Sequence, residues 1–514
     1  MTTIQYLSLS KPQRKLVDFI NFFKGIGHGF VNFFKGLPSK FLKLGNTIIK
    51  PFSVLADAWI KGTWFTRGNF LIFGFSQLFH REIIRGVLYL LYELVFIWYM
   101  IVMGAPYLGK LGTLGTFSPT SQYLSDPKQG TLVSIAGGDN SFQIILYSIV
   151  TFILMLIFIV LWFYSIRDAK SLQDNIAVGR LSKNTQFLND LTDSKYHTLL
   201  LAVPLVGLTA FTIIPVIFMI ITGFTNYNGQ THSDLFDWVG FDNYQQLFSG
   251  MSSNGNSGVV TVFLKVLAWT LIWALIATFT NYFLGMIVAL LINKKGIKLK
   301  KLWRTVLILT IAVPQFVSLL LINRMLANNG FLTNLFVNAG WIPNNTSPFD
   351  NVWLARILII VVNMWVGVPY TMLISSGILM NIPEDLYESA RIDGASTFKM
   401  FTAITLPYML FITGPYLLSQ FVGNINNFNI IYLLSQGAPT FKSAGVNIPT
   451  SFGGNTVGQT DLLITWIYKM SMVGDDKNYA LACVLGVLVF IVIAVISLVF
   501  YGRSNAVKNE GDFN

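Results

Sequence analysis

The most informative stretch of this chain is the polar Glu388-Ser389-Ala390-Arg391-Ile392-Asp393-Gly394, followed after nine residues by Ile404-Thr405-Leu406-Pro407. The stretch lies between two long apolar runs. Pro383 and the acidic residues after it suit the first turn of a helix, and Gly394 permits a turn that a side chain would resist. The spacing therefore predicts a helix–turn–helix loop whose second helix enters the next apolar run at Pro407.

The composition places the rest of the chain in lipid. Of its 514 residues 53% are hydrophobic and only 11% are charged, whereas soluble proteins carry about 25% charged residues. The single cysteine, Cys483, excludes an internal disulfide and gives no support to a thiol catalyst or a cysteine metal site. The net charge of +12 could indicate nucleic-acid binding, but the basic residues cluster beside apolar runs, as they do in membrane proteins.

Eight apolar runs are candidates to cross a membrane, since a span needs about 20 mostly apolar residues. The sequence therefore predicts an all-α polytopic membrane protein with about eight transmembrane helices. The first fifteen residues are polar and basic, so we expect no cleaved signal peptide. The candidate spans lie at roughly 86–104, 143–166, 198–223, 262–292, 302–327, 352–379, 405–425 and 479–501.

The distribution of Lys and Arg predicts the orientation, because cytoplasmic loops carry the excess of both. The loops 224–258 and 328–351 contain neither residue. We therefore expect both termini, and the stretch around Glu388, to lie in the cytoplasm. The segments predicted to be cytoplasmic hold most of the 35 basic residues and are 1–85, 167–196, 293–304, 380–404 and 502–514.

Residues 1–85 have a composition of their own. Asn21-Phe22-Phe23-Lys24-Gly25 recurs eleven residues later as Asn32-Phe33-Phe34-Lys35-Gly36, which is close to three helical turns. Phe and Leu alternating with Lys favour an amphipathic segment at the interface with anionic lipid over a solvated or partner-binding tail. The apolar run from Asn69 to Phe79 is too short to span, so we expect it to be interfacial or re-entrant.

The loop at 380–407, here called the signature loop, resembles the loop through which ABC-importer permeases engage their ATPase. The pattern E-S-A-x3-G-x9-I-x-L-P carries the resemblance; its E-x-A part alone would suit any amphipathic loop. Ser389 departs from the Ala usual in the family, and it is also small. The resemblance implies that Glu388 pairs with a basic residue of the ATPase and that Gly394 sets the elbow. The implied ATPase-coupling residues are Glu388, Ser389, Ala390, Asp393, Gly394, Ile404 and Pro407.

The resemblance covers about 198–501 and narrows to the larger membrane subunit of maltose/maltodextrin transporters, the MalF-like permeases. The stretches 363–370, 382–388 and 424–429 carry it, together with two extra spans before a six-span core. The loop 224–258 is short where well-known Gram-negative members have a large folded insert, which favours a receptor tethered to the outer leaflet. The implied domains are an interfacial region 1–85, two spans with an outer loop 86–197, the permease core 198–501 and a cytoplasmic tail 502–514.

The resemblance also implies partners and a cycle. A second homologous permease subunit would complete the path through a bacterial plasma membrane, and an ATPase homodimer would hold ATP and Mg. An extracytoplasmic sugar-binding receptor would deliver the carbohydrate, and the outer loop 426–478 is the expected place for it to dock. Closure of the ATPase on ATP would open the path outward and hydrolysis would reset it, so the chain itself would be non-catalytic and without a cofactor.

Polar residues within two core spans indicate a sugar path, because polar groups in a span are costly unless they face a cavity or a partner. Neutral amides suit sugar hydroxyls, and Trp365 and Phe421 offer flat faces to a ring. Pro369 invites a kink. Hydrogen bonding between helices is the competing interpretation for each amide. Residues implied by the resemblance to bind substrate are Asn363, Val366, Gly367, Tyr370, Gln420 and Asn424.

Other functions have less support. The chain has no G-x4-G-K-[ST] phosphate loop, and its four histidines are scattered, so neither ATP binding of that kind nor a metal site is expected. A secondary transporter needs buried acids in the core spans, and a membrane enzyme such as a glycosyl transferase needs a catalytic acid or metal cluster; Glu93 lies outside the core. Lys265, Arg324 and Arg356, near span ends, are expected to snorkel.

Maltose or maltodextrin is the expected substrate, and another oligosaccharide of the raffinose or galacto type is the alternative.

Overall fold

The computed structural model describes most of the chain, which forms two compact units, Met1–Ile221 and Thr222–Asn514. The repeat at 21–36 and the tail 502–514 lie outside the described residues, and the predicted domain boundaries stay a prediction. The described residues are 53–116, 122–125, 132–135, 139–179, 189, 192–193, 196–249, 258–294, 296–474 and 476–501.

Within the described residues, seven helices are long and apolar enough to cross a membrane, and a bent helix pair is an eighth candidate. The predicted all-α polytopic class is therefore confirmed. The seven candidate spans are Ile83–Lys110, Ser141–Ala177, Tyr196–Thr222, Val259–Asn293, Val352–Leu379, Thr397–Leu434 and Tyr479–Val499.

The first unit holds short helices, long helices and a small hairpin. Its helices are α1 Trp64–Gly68, α2 Phe75–Phe79, α3 Ile83–Tyr99, α4 Ala105–Lys110, α5 Ser141–Ala177, α6 Tyr196–Leu208 and α7, which begins at Ile214 and ends at Thr222. Single π-helical turns join α3 to α4 at Met100–Gly104 and α6 to α7 at Thr209–Ile213. Strands β1 Gln122–Ser125 and β2 Leu132–Ile135 pair antiparallel.

Polar contacts hold the segment between α1 and α2 against the long helices of the first unit. Asn69 Nδ2 donates to Gln77 Oε1 at 2.9 Å and to Ser165 Oγ at 3.0 Å. The backbone N–H of Phe73 donates to Glu93 Oε2 at 2.9 Å. Because these groups are buried and paired, Glu93 has a structural partner within its own unit.

The second unit contains the remaining helices. They are α8 Asp242–Ser249, α9 Gly258–Asn293, α10 Lys300–Ala312, α11 Gln315–Leu326, α12 Phe331–Asn338, α13 Val352–Leu379, α14 Glu384–Ile392, α15 Thr397–Met400, α16 Leu406–Ile425, α17 Phe428–Leu434, α18 Leu463–Tyr468 and α19 Tyr479–Tyr501. Single π-helical turns follow α15 at Phe401–Thr405 and α18 at Lys469–Val473. Short 3-10 turns lie at Pro348–Asp350, Lys442–Ala444, Thr450–Phe452 and Gly454–Thr456.

The candidate span at 302–327 consists of two helices with a break between them. Helices α10 and α11 meet at 86° across Val313 and Pro314. Proline has no backbone N–H and disfavours a helical conformation in the residue before it, and Val313 is accordingly extended, with ψ at 124°. Length and hydropathy alone did not reveal this corner, because Pro369 and Pro415 lie inside helices that continue through them.

Helix α9 packs along α13 at very close range. An added Cβ at Gly285 would lie 2.1 Å from Thr371 Oγ1, and one at Gly367 would lie 2.2 Å from Asn281 Nδ2. Thr371 Oγ1 also donates to the backbone O of Asn281 at 2.8 Å. Glycine is therefore what allows these two helices to approach each other.

A buried ion pair organises the irregular segment between α17 and α19. Lys469 Nζ donates to Asp461 Oδ2 at 2.7 Å and to the carbonyl oxygens of Gln436 and Thr456. Arg356 lies nearby. Snorkelling would take its guanidinium away from the protein toward water, but the guanidinium instead contacts other residues of the same unit. Its guanidinium lies 4.3 Å from the ring centroid of Trp269 and donates to the carbonyl of Gln459.

Candidate functional site

The signature loop has the predicted helix–turn–helix geometry. Helix α14 begins after Pro383 and has two acidic residues in its first turn, where the positive end of the helix dipole favours them. Gly394 follows with φ at 71°, in the left-handed region that glycine adopts readily. The Ser396 hydroxyl then accepts from the backbone N–H of Lys399 and caps α15.

The loop presents both charge and apolar surface. Ile392 is 87% exposed and Phe398 is 75% exposed. A mixed surface of this kind is typical of a contact with another protein. Of the predicted coupling residues, Glu388, Ser389, Asp393, Gly394 and Pro407 are exposed, while Ala390 and Ile404 are half-buried.

The loop is tied to the next long helix through a contact that sequence reasoning missed. The hydroxyls of Tyr387 and Thr405 are 2.8 Å apart and share a hydrogen bond. Thr405 is only 3% exposed and ends the π-helical turn before α16. The two residues are 18 positions apart, and nothing in local sequence spacing pairs them.

A concave pocket of about 310 Å³ lies where the α10–α11 corner faces one side of α13. Val366 and Tyr370, both predicted to bind substrate, line it together with Trp365. Gln315 and Ser318 of α11 add polar side chains that sequence reasoning missed, since the corner itself was not foreseen. Aromatic faces beside a few hydrogen-bonding groups are the usual lining of a small-molecule site.

Gly367 lies against α9 instead, and Asn363 lies one turn before it on α13. Asn363 is 4% exposed, and its Nδ2 has no hydrogen-bond partner among the described residues. Gly367 packs on Asn281, whose Oδ1 is likewise unpaired within the part of the chain that is described. The structure thus divides the α13 residues predicted for one sugar path between a pocket wall and a helix–helix interface.

Asn424 lies in another interface between helices. It is 7% exposed, and its Nδ2 donates to Thr278 Oγ1 of α9 at 3.0 Å. Its backbone oxygen accepts from Trp273 Nε1 at 3.1 Å. Hydrogen bonding between helices therefore occupies this amide, while Gln420, one turn earlier, is half-buried. In the described residues, no group of three or more His, Cys, Asp or Glu could hold a metal ion.

The features described so far are those of an integral-membrane transport permease. They are several long apolar helices, an exposed helix–turn–helix loop and a polar–aromatic pocket. The chain belongs to the family described as the binding-protein-dependent transport system inner membrane component, whose profile matches residues 281–506.

Similar proteins place it more narrowly. The maltodextrin transport system permease protein MalC of Streptococcus pneumoniae is 30% identical, over 86% of this chain and 95% of MalC. The galactooligosaccharides transport system permease protein GanP of Bacillus subtilis is 30% identical, over 86% of this chain and 97% of GanP. The maltose/maltodextrin transport system permease protein MalF of Escherichia coli is 32% identical, over 51% of this chain and 48% of MalF. These similarities confirm the prediction that the chain is a MalF-like carbohydrate permease of an ABC importer. They also support a multi-pass protein of the bacterial inner membrane.

Proposed function

We propose that this chain imports malto-oligosaccharides as one of two homologous membrane subunits. A separate ATPase homodimer would drive it from the cytoplasm, and an extracytoplasmic sugar-binding receptor would supply the ligand. The chain itself would be non-catalytic, with ATP and Mg held by the ATPase. The choice of malto-oligosaccharides as substrate rests on one observation, the similarity to a maltodextrin permease along almost the full length of both chains.

The signature loop is the proposed handle for the ATPase. Glu388 is exposed on α14 and would pair with a basic residue of the partner. The exposed side chains of Ile392 and Phe398 would enter the apolar part of its cleft. Gly394 would hold the two short helices at the angle that the cleft accepts, because a positive φ at this position suits glycine. Both chain termini would lie on the same, cytoplasmic side.

The proposed sugar path runs along α13. Trp365 and Tyr370, which are 45% and 49% exposed, would stack against sugar rings. Gln315 would bond hydroxyls from the opposite wall of the pocket. The second permease subunit would close the open side. Further contacts implied by family resemblance are Asn363, Val366, Gly367, Gln420 and Asn424.

A galacto-oligosaccharide is the second candidate substrate. GanP matches this chain with the same 30% identity, and the match covers 97% of GanP. Uptake of labelled maltotriose and labelled galactotriose should be compared in cells with the gene intact, deleted and restored. Loss of maltotriose uptake alone on deletion supports the malto-oligosaccharide proposal. Loss of galactotriose uptake alone supports the alternative, and unchanged uptake of both contradicts the two.

The coupling role is tested in the same cells. Glu388→Ala and Gly394→Pro should leave the chain in the membrane but abolish uptake, since the first removes the charge and the second cannot adopt a positive φ. Asp385→Ala is the matched control, because it removes a different carboxylate from the same helix, the one at Asp385 in its first turn. Normal uptake by the Glu388 variant would contradict the coupling role.

The path is tested by replacing Asn363 and Asn424 together with Leu. If these amides bind sugar, uptake should fall while the variant still copurifies with its partners. Failure to assemble would instead assign them to contacts between helices, as the buried bond from Asn424 to Thr278 suggests.

A further inference from the structure

One face of α16 and of the π-helical turn before it carries buried side chains in the first half of the helix and again at its end. Thr405, Met409 and Thr413 follow at intervals of four residues and are 3%, 0% and 1% exposed. Asn424 comes eleven residues after Thr413, which is about three helical turns, and is 7% exposed. The four side chains therefore lie on one face, which runs from the signature loop to the amide discussed above.

The three polar side chains on this face each form a hydrogen bond with a side chain of another helix. The Thr405 hydroxyl meets the Tyr387 hydroxyl of α14 at 2.8 Å. The Thr413 hydroxyl meets the Tyr282 hydroxyl of α9, also at 2.8 Å. Asn424 donates to Thr278, one turn from Tyr282 on the same helix. Three separate hydrogen bonds thus lie along this face, from the signature loop to Asn424.

The first of these bonds has an unusual setting. Thr405 closes the π-helical turn Phe401–Thr405, which separates α15 from α16. Such single turns recur at functional sites in helices. Thr413 also donates to the Met409 carbonyl of its own helix at 2.6 Å. In the described part of the chain, by contrast, the side chain of Thr405 bonds only Tyr387.

The contacts around this bond are apolar. Phe401 and Leu406 pack with Ile378, Leu379 and Met409 in one cluster. Apolar contacts are non-directional and permit sliding, whereas a hydrogen bond weakens steeply once its distance or angle changes. This cluster includes no residue of α14, and the Tyr387–Thr405 bond is a directional contact between α14 and the start of α16.

We propose that Tyr387 and Thr405 form a joint through which movement of the signature loop reaches the buried face of α16 and, through it, the sugar path. The inference rests on the proposed function. Both are positioning residues, because they act through the helices they connect and need touch neither the sugar nor ATP.

The test uses the complete importer, with partner permease, ATPase and receptor, reconstituted in proteoliposomes. Tyr387→Phe and Thr405→Val each remove one hydroxyl. Each should lower receptor- and maltotriose-stimulated ATP hydrolysis and sugar transport by about fivefold, the factor that one hydrogen bond of ordinary net strength supplies. Basal ATP hydrolysis and copurification of the subunits should stay unchanged, and Thr405→Ser should restore stimulation.

Two matched variants control for the loss of a hydroxyl. Tyr408→Phe alters the next turn of α16, at a half-buried position. Thr402→Val alters an exposed residue of the same π-helical turn, whose hydroxyl bonds the Phe398 carbonyl of its own helix. Both should retain full stimulation. If Thr405→Val impairs assembly, Tyr387→Phe decides the question, because it removes only one oxygen from a half-buried side chain.

The double variant separates a joint from two independent effects. If the residues act together, Tyr387→Phe with Thr405→Val should be no worse than either single change. Additive losses, no rescue by Thr405→Ser, or full stimulation in the single variants would each overturn the joint. A wild-type complex that shows no stimulation by sugar and receptor would instead overturn the proposed function, and this inference with it.

Discussion

Two glycines of α13 should respond in opposite ways to replacement by alanine. At Gly367 an added Cβ would lie 2.2 Å from Asn281 Nδ2 and 2.6 Å from its Cγ. At Gly377, ten residues further along the helix, an added Cβ would have no heavy atom within 4 Å apart from the adjacent backbone of its own helix. Gly377→Ala should therefore stabilise the chain by about 0.5–1 kcal/mol, because alanine loses less backbone entropy in a helix.

Gly367→Ala makes the same gain in helix propensity but adds a clash. Overpacking a well-packed interface costs about 1–3 kcal/mol. Since the propensity gain is common to both variants, the difference in their free energies of unfolding measures the clash alone. Thermal unfolding of the detergent-purified chain, followed by helical circular dichroism, should place Gly367→Ala about 1–3 °C below Gly377→Ala, at about 1 °C per kcal/mol for a chain of 514 residues.

A third variant identifies the source of the clash. The three atoms nearest to the added Cβ all belong to the Asn281 side chain. Asn281→Ala should therefore make room, and the double variant Asn281→Ala with Gly367→Ala should unfold close to Asn281→Ala alone. Equal unfolding temperatures for Gly367→Ala and Gly377→Ala, or no rescue in the double variant, would refute the close packing of α9 on α13.

Three further experiments test other features of the structure. Lys469→Met should lower the free energy of unfolding by about 3–5 kcal/mol, because it leaves Asp461 buried without its ion partner; the added change Asp461→Asn should recover part of the loss in a thermal melt. Arg356→Lys should cost about 1 kcal/mol through the weaker stack on Trp269, and an unchanged melting temperature would contradict that. Gly394→Ala should reduce uptake more than Gly394→Asn, since asparagine tolerates a positive φ better; equal uptake would show that the backbone angle is unimportant.

Structural elements with a local cause could be predicted from the amino-acid sequence alone. Runs of apolar residues predicted the long helices because a membrane span depends on length and hydropathy. The signature loop was predicted in detail, since Pro383 starts α14 and Gly394 turns the chain with a positive φ. Both effects depend on backbone conformation within a few residues, so no distant partner was needed to foresee them.

Which helix faces and which distant residues meet depends on long-range packing, and sequence spacing did not predict it. The α13 residues that appeared to share one sugar path separate because α9 packs against Gly367, leaving Val366 and Tyr370 to face the α10–α11 corner. The Tyr387–Thr405 and Asn424–Thr278 bonds join residues 18 and 146 positions apart. A polar side chain in a helix bundle takes its partner from whichever helix packs beside it, and that packing depends on the shape of the whole unit.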